Sequence, residues 1–178
     1  MTAARRFPSL APILAGALTI VALTLPSAAR AQESSSSDTA LARQVQSAKI
    51  SLDRGLSAAT ARGTPISAKY EIEDGKLQLS VYTAKAGKFW EVIVNHQTGR
   101  VGKSEEIKEG DDLTAAKSQD EAMAKAKRSL RTAVQRATEA NKGYHAVSVT
   151  PGLEGGKPIA TIALARGSSV KTVSEPLD

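Results

Sequence analysis

The sequence has no cysteine and only two histidines, His96 and His145, among its 178 residues. Without cysteine no disulfide can form, so packing alone must stabilise the folded chain. The H-x-x-x-H and cysteine spacings that hold zinc are also missing from the sequence. The sequence therefore indicates neither a metal site nor a cofactor.

Long apolar runs are missing as well, except near the start of the chain. Residues 10–25 are mainly apolar, follow Arg5 and Arg6, and precede small residues up to Ala31. This order predicts a secretory signal peptide over residues 1–31, cleaved after Ala31. No transmembrane segment is expected after cleavage, because the apolar run is too short to cross a membrane comfortably. A periplasmic or secreted location follows.

Aromatic residues make up only 3% of the chain. For an exported protein with so few of them, nucleic acid is not expected as a partner. Basic residues are frequent over 117–142, directly after an acidic stretch over 105–112. We interpret the basic block as a solvated helix face, with an anionic partner or a membrane surface as the alternative.

Residues 32–40 (QESSSSDTA) are polar and serine-rich, and they are predicted to form a flexible spacer. Ser51 is a typical helix N-cap, so residues 41–61 form either one helix or two helices with a break there. Gly55 is expected to weaken this segment by about 1 kcal/mol relative to alanine. Apolar residues recur through the segment at helical spacing, at Leu41, Val45, Ala48, Leu52, Leu56 and Ala59.

Three strands are predicted after this helical segment. The Asp74-Gly75 pair between the first two is favoured in two-residue hairpins, because both central positions need a positive φ. That turn places Tyr70 opposite Leu79. The apolar residues of the two strands then share one face, and a slip by one residue would move all of them to the other face.

The second hairpin is predicted to turn through residues 84–87. This turn places Leu79 opposite Val92 and Val81 opposite Trp90. Both turns gather their apolar residues on the same face. Tyr70 and Trp90 are therefore predicted to be core residues packed beneath the helix.

The opposite face of this sheet carries Tyr82 and Ile93, with Tyr82 predicted opposite Phe89 and Ile93 opposite Gln78. A fully solvated face would be polar, so some other structure is expected to cover these apolar side chains. The cover is either the second half of the chain or a partner protein. Tyr82, Phe89 and Ile93 form the candidate partner surface.

The second half of the sequence repeats the first. SLRTAVQRAT at 129–138 matches SLDRGLSAAT at 51–60 without a gap, and EGGK at 154–157 parallels EDGK at 73–76. A helix is predicted to begin at a capping box formed by Ser118 and Glu121 and to end near Asn141. Strand candidates follow at 144–150, 158–165 and 169–174.

The expected fold class is therefore α+β, with two tandem α-β-β-β units. In each unit a helix packs on a three-stranded antiparallel sheet. The first unit covers residues 41–107, an acidic linker covers 108–117, and the second unit covers 118–178.

The segments 50–63 (ISLDRGLSAATARG) and 70–101 resemble a PepSY domain. That family has a short Ser-capped helix, a strand, a DGK-like turn, a second strand and a last strand that ends in a D-x-x-T-G turn. Here the last turn is NHQTG, with Asn95 at the usual aspartate position, and asparagine can fill the same hydrogen-bonding role. The resemblance covers residues 50–107 and is faint over 118–178.

PepSY domains are small exported or membrane-attached modules, found in propeptides of secreted metallopeptidases and alone in envelope proteins, and they have been proposed to restrain peptidases. The resemblance implies an exported, non-enzymatic binding or regulatory module of the bacterial envelope. Its partner would be another envelope protein or a peptidase. The family supplies no catalytic residues to transfer.

The sequence contains no indicated catalytic residue. His96 lies in a predicted turn and His145 at a strand start, so both are interpreted as solvated side chains. One alternative function is an envelope structural or stress protein that binds a small ligand or cation between its two units. Another is a hydrolase, which a cleft with converging polar groups around either histidine would indicate.

Overall fold

The computed structural model describes residues 38–178, so the predicted signal peptide and most of the predicted spacer lie outside the described residues. Within this part of the chain, four α-helices and one seven-stranded antiparallel sheet are present. The predicted α+β class is confirmed. Residues 38–40, which the sequence placed in the spacer, are helical.

The helices are α1 (residues 38–45), α2 (Leu52–Ala59), α3 (Gly110–Lys125) and α4 (Leu130–Ala140), with a 3-10 turn at Thr60–Arg62. The strands are β1 (Thr64–Glu73), β2 (Lys76–Lys85), β3 (Lys88–Val94), β4 (Val101–Ile107), β5 (His145–Glu154), β6 (Lys157–Arg166) and β7 (Ser169–Pro176). Their order in the sheet is β4-β3-β2-β1-β5-β6-β7. The strands β4 and β7 therefore form its two edges.

The helical segments of both halves are broken in two. In the first half, α1 and α2 are separate, and α2 begins after Ser51, whose backbone is extended. In the second half, α3 ends at Lys125 and α4 begins after Ser129, whose hydroxyl accepts the N–H of Thr132 at 3.2 Å. The single helix beginning at Ser118 is a wrong prediction, because the apolar spacing continues across the break and hides it.

The segment 108–117, predicted to be an acidic linker, is mostly helical. Most of it forms the first part of α3, with Asp111 and Asp112 in the first turn. Carboxylates stabilise a helix at this end, because they oppose the positive end of its dipole. Residues 101–107 form a fourth strand, β4, which the sequence analysis does not predict.

The first predicted hairpin is confirmed, since Tyr70 pairs with Leu79. The second hairpin is displaced by two residues, so that Leu79 pairs with Val94 and Thr83 pairs with Trp90. Its turn has only two central residues, Ala86 and Gly87, with φ values of 52° and 73°. A displacement by two keeps each side chain on its predicted face. Tyr70 is therefore buried, and the half-buried Trp90 packs against the core.

The prediction of two separate three-stranded sheets is wrong. Strands β1 and β5 pair antiparallel, with Ala68 opposite Val149 and Lys69 opposite Ser148, and they join all strands into one sheet. Separate sheets would leave β1 and β5 as additional free edges, and such edges favour aggregation. Local sequence patterns carry no signal for a pair between strands so far apart in the chain.

The two central hairpins have the same construction. Glu73 pairs with Lys76 at the end of the first, and Glu154 pairs with Lys157 at the end of the second. Each hairpin also contains one register shift, between Pro65 and Ser67 and between Ala146 and Ser148 respectively. The number of residues between the register shift and the turn is the same in both hairpins.

The same correspondence extends to the starts of α2 and α4. The N–H groups of Lys49 and Ile50 both donate to the carbonyl of His96 at 3.0 Å. In the second half, the N–H groups of Lys127 and Arg128 donate to the carbonyl of Leu177 at 2.7 and 2.9 Å. The chain before each helix is therefore held by the residues that follow the third strand of its own half.

The main core lies between α2, α4 and one side of the sheet, which we call the inner face. The opposite side is the outer face. Within residues 38–178, none of the helices is long and apolar enough to cross a lipid bilayer. The largest fully buried side chains include Leu52, Leu56, Leu79, Leu130, Ile162, Leu164 and Leu177.

Candidate binding cleft

Tyr82, Phe89 and Ile93 share the outer face, but they do not pair as predicted. The two-residue turn at Ala86 and Gly87 moves each partner by two positions. The residues opposite Tyr82, Phe89 and Ile93 are Glu91, Ala84 and Ser80, respectively.

Phe89 is covered by the chain itself. Its side chain is only 5% exposed and packs with Ile66 of β1 and Ala116 of α3, while Tyr82 and Ile107 flank this small second core. For Phe89 and Tyr82 the cover therefore comes from α3, whereas Ile93 is half-buried and is not part of this second core. Phe89 is not accessible to a partner in this structure, which removes the centre of the predicted partner surface.

A group of polar side chains lies beside Tyr82 on the outer face. The Nζ atom of Lys69 is 2.7 Å from Oε2 of Glu71, and the Ser80 hydroxyl donates to Oε1 of Glu71 at 2.7 Å. The Tyr82 hydroxyl donates to Oε1 of Glu91 at 3.4 Å. Burial raises the pKa of the Tyr82 hydroxyl, so this group remains protonated and stays a donor.

Burial also raises the pKa of the Glu91 carboxyl above its ordinary value. The negative charges of Glu71 and Asp112 raise it further, while the Ser80 hydroxyl and the Lys69 ammonium act in the opposite direction. An uncharged Glu91 is therefore favoured in the folded chain more than in the unfolded chain. Its ionisation weakens the fold as the pH rises from the unfolded pKa through the folded one.

We expect the Glu91→Gln variant to be more thermally stable than the wild type at neutral pH, with little difference near pH 4, about the pKa of an unperturbed glutamate. Glutamine keeps an oxygen that can accept the Tyr82 hydroxyl and removes the charge. Glu105 lies opposite Glu91 on β4 and is exposed, so Glu105→Gln is the matched control and should show no such pH-dependent gain. Melting curves from pH 4 to pH 7 test this, and an equal gain for Glu91→Gln at every pH contradicts it.

A cleft of about 450 Å³ lies between the two halves of the chain. One wall is the connector between α1 and α2 together with the first turn of α2. The other wall is α4 with the start of β5. The polar and aromatic side chains in it include Lys49, Ser51, Asp53, Thr138, Tyr144 and His145.

Asp53 connects the two walls of the cleft. Its Oδ1 accepts the Ser51 hydroxyl at 2.5 Å, and its Oδ2 accepts the side-chain amide of Gln135 on α4 at 3.3 Å. Ser51 is thereby drawn away from the capping role that Ser129 has in α4. The hydrogen bond between Asp53 and Gln135 links the start of α2 to α4.

Tyr70 fixes the connector between α1 and α2. Its hydroxyl donates to the carbonyl of Ile50, and burial raises its pKa, so that it remains a donor. Because Tyr70 also lines the cleft, the connector wall is attached directly to the central strand β1.

The two histidines have different positions. His96 lies outside this cleft, with Nδ1 3.0 Å from Nε2 of Gln97. His145 is an exposed cleft residue, and the structure over residues 38–178 shows no hydrogen bond or ion pair for its ring. His145 therefore lies in a cleft with converging polar groups, the arrangement that the hydrolase alternative requires. The Ser51 hydroxyl in this cleft donates to Asp53.

A second, smaller cleft of about 280 Å³ lies at the other ends of α2 and α4. It is built from positions that correspond to those of the larger cleft. Thr60 takes the place of Thr138, Ser129 that of Ser51, and Thr64 that of His145. Over residues 38–178, no group of three or more His, Cys, Asp or Glu side chains is arranged to hold a metal ion.

The sequence predicted neither cleft. The repeat of SLDRGLSAAT in SLRTAVQRAT indicates two equivalent helices, and two such helices side by side create equivalent grooves at their ends. That signal was present, but nothing in the sequence showed that α2 and α4 are adjacent.

No protein family, no curated protein and no solved structure was found to match the chain.

Proposed function

We propose that the chain is an exported, non-enzymatic binding or regulatory module of the bacterial envelope, built from two tandem PepSY-like units. Its partner is another envelope protein, and the resemblance favours a peptidase. The charged, apolar and small residues over 1–31 support export. The helix, turn and strand pattern over 50–107 supports the family.

The internal correspondence of the two halves supports the tandem arrangement. One unit is α1-α2-β1-β2-β3 and the other is α3-α4-β5-β6-β7, with β4 as an addition to the first. Ser51 and Ser129 hold the same place before α2 and α4. Ala68 and Val149 occupy corresponding positions and face each other, as a two-fold relation between the units requires.

The observation that carries the proposed binding role is the larger cleft, whose walls come from both units. Its volume of about 450 Å³ lies in the range of ligand pockets, which often form at the interface between units. A protruding side chain or short segment of a partner fits a cleft of this size. Because α3 covers Phe89, we assign the docking surface to this cleft and not to the outer face.

The proposal predicts that Thr138→Arg abolishes partner recovery from an envelope extract, because the long side chain fills the larger cleft. Thr60→Arg is the matched control, since Thr60 holds the corresponding place in the smaller cleft. The control should recover the same partner as the wild type. Equal recovery by Thr138→Arg would show that the larger cleft is not the docking surface.

A small charged ligand is the second candidate occupant, because Lys49, Asp53 and Arg54 bring charges of both signs to the same cleft. A ligand that binds only the folded chain raises its melting temperature. A thermal-shift screen of small ions, metals and lipids on the purified chain discriminates the two candidates. A ligand-dependent rise that is lost in Thr138→Arg and kept in Thr60→Arg favours the ligand.

A further inference from the structure

The two edges of the sheet differ in how they are protected. On β4, the pairing with β3 shifts register near Gly102, and the Lys103 ammonium lies 2.6 Å from the Glu105 carboxylate. Glu106 adds another charge to the strand. Charged side chains and bulges of this kind discourage the pairing of an edge with another strand.

The edge strand β7 lacks the register shift of β4, although it carries Lys171 and Glu175 and ends in Pro176. Its pairing with β6 is continuous from Ser169 to Pro176 without a register shift. Val170 on this strand is 44% exposed. A regular and partly apolar edge strand of this length is a ready template for another strand.

The direction of the free peptide groups on β7 follows from one hydrogen bond. The N–H of Leu177 donates to the carbonyl of Pro158 at the end of the β6 pairing, at 2.9 Å. Peptide groups alternate in direction along an antiparallel strand. Those of Thr172 and Ser174 therefore point away from β6, and no strand within the described range 38–178 pairs with them.

The charges on β7 are arranged symmetrically about Val173. Lys171 lies two residues before it and Glu175 two residues after it. When a second copy pairs antiparallel with Val173 opposite Val173, each lysine lies opposite the glutamate of the other copy. The same register brings the outward peptide groups of Thr172 opposite those of Ser174 on the second copy, so the charge pairs and the hydrogen bonds require one and the same alignment.

Both charged side chains are already held in place on the inner face. The Lys171 ammonium lies 2.6 Å from Oδ1 of Asn141 and 4.3 Å from the ring centre of Tyr144. Oε2 of Glu175 lies 3.3 Å from Nε of Arg136. Side chains that are fixed before association lose less entropy when they form a new contact.

We propose that β7 is the interface of a homodimer, in which the sheets of two copies continue into each other about a two-fold axis at Val173. A two-fold interface must be self-complementary, and β7 meets this condition in its charges and its hydrogen bonds. A contact made by one strand is smaller than a standard protein interface, so the dimer is weak and depends on concentration. None of the β7 residues lines the larger cleft, and the proposed dimer does not rest on the proposed function.

Sedimentation velocity over a concentration series tests the dimer on the chain without its predicted signal peptide. The wild type should shift from the monomer to the dimer mass as concentration rises. Lys171→Glu and Glu175→Lys should each remain monomeric, because both charge pairs become repulsive. An equimolar mixture of these two variants should form a dimer again, because both pairs then join opposite charges.

Thr172→Pro gives an independent test, because it removes an outward N–H while leaving the hydrogen bonds to β6 in place, and it should also abolish the dimer. Lys103→Glu on β4 is the control and should dimerise like the wild type. Circular dichroism confirms that each variant is folded. A wild type that stays monomeric at all concentrations overturns the proposal, as does a folded pair of charge variants whose mixture stays monomeric.

Discussion

Replacing Leu177 with alanine is expected to lower the free energy of unfolding by about 2–5 kcal/mol, the range for removing a buried leucine side chain. The Leu177 side chain is fully buried in the main core. Its backbone connects three elements, since its N–H donates to Pro158 and its carbonyl accepts the N–H groups of Lys127 and Arg128. A cavity at this position therefore weakens the core where β6, β7 and the start of α4 meet.

Urea denaturation of the wild type and the variant measures this loss. Asp178→Ala is the matched control, because Asp178 is exposed next to Leu177, and surface changes usually stay within about 0.5 kcal/mol. A loss below about 1 kcal/mol for Leu177→Ala would mean that the end of the described chain is not part of the core. No sequence pattern indicates this role, because Leu177 is an isolated apolar residue after a polar strand.

The two hairpins of the first half show where local sequence determines structure. In the first, Asp74 and Gly75 both adopt a positive φ, with values of 49° and 74°. The Asp-Gly pair is typical of this turn and predicted it correctly. In the second, Ala86 also has a positive φ, of 52°. Alanine is not typical of such a position. The turn was therefore predicted to contain four residues, 84–87, where the structure has two.

The helices show a different limit. The apolar spacing identified residues on α2 and α4 correctly. Ser51 indicated a possible break before α2, but the break before α4 was not predicted. The start of α3 was missed because Gly110, Asp111 and Asp112 are typical of loops as well as of helix starts. The strand β4 was missed because its sequence, VGKSEEI, has no apolar alternation, which is common for an edge strand that must resist pairing.

The candidate site required knowledge of distant contacts. Asp53 and Gln135 belong to the matched segments that the repeat identified, but only the packing of α2 against α4 brings them together. Phe89 likewise depends on a distant contact, because the packing of α3 against it removes it from the surface. Sequence patterns determined which face carried each side chain, while tertiary contacts determined which faces stayed accessible.

Gly55 is the residue for which sequence and structure make opposite predictions. In an exposed helix, replacing glycine with alanine stabilises by about 1 kcal/mol. In this structure, a Cβ atom at position 55 would lie 2.5 Å from Cδ2 of Leu79 on β2. Leu79 is fully buried, so its side chain cannot move aside without disturbing the core. The glycine allows α2 to approach the sheet.

The second half offers the matching solution. Ala133 stands at the position that corresponds to Gly55, and Ala160 stands at the position that corresponds to Leu79. Where α4 has alanine in place of glycine, the facing strand has alanine in place of leucine. The pair Gly55 and Leu79 and the pair Ala133 and Ala160 fill the same kind of space in two different ways.

We therefore expect Gly55→Ala to destabilise the chain by about 1–3 kcal/mol, the usual cost of overpacking a core. In the Leu79→Ala background the clash is absent, so the same change should stabilise by up to about 1 kcal/mol, as in an ordinary helix. Urea denaturation of the wild type, both single variants and the double variant gives the coupling between the two sites directly. Ala133→Gly is the control for helix propensity alone and should destabilise in either background, because Ala133 lies on α4. If Gly55→Ala has the same effect with leucine and with alanine at position 79, then the close approach of α2 to β2 does not explain why glycine stands at position 55.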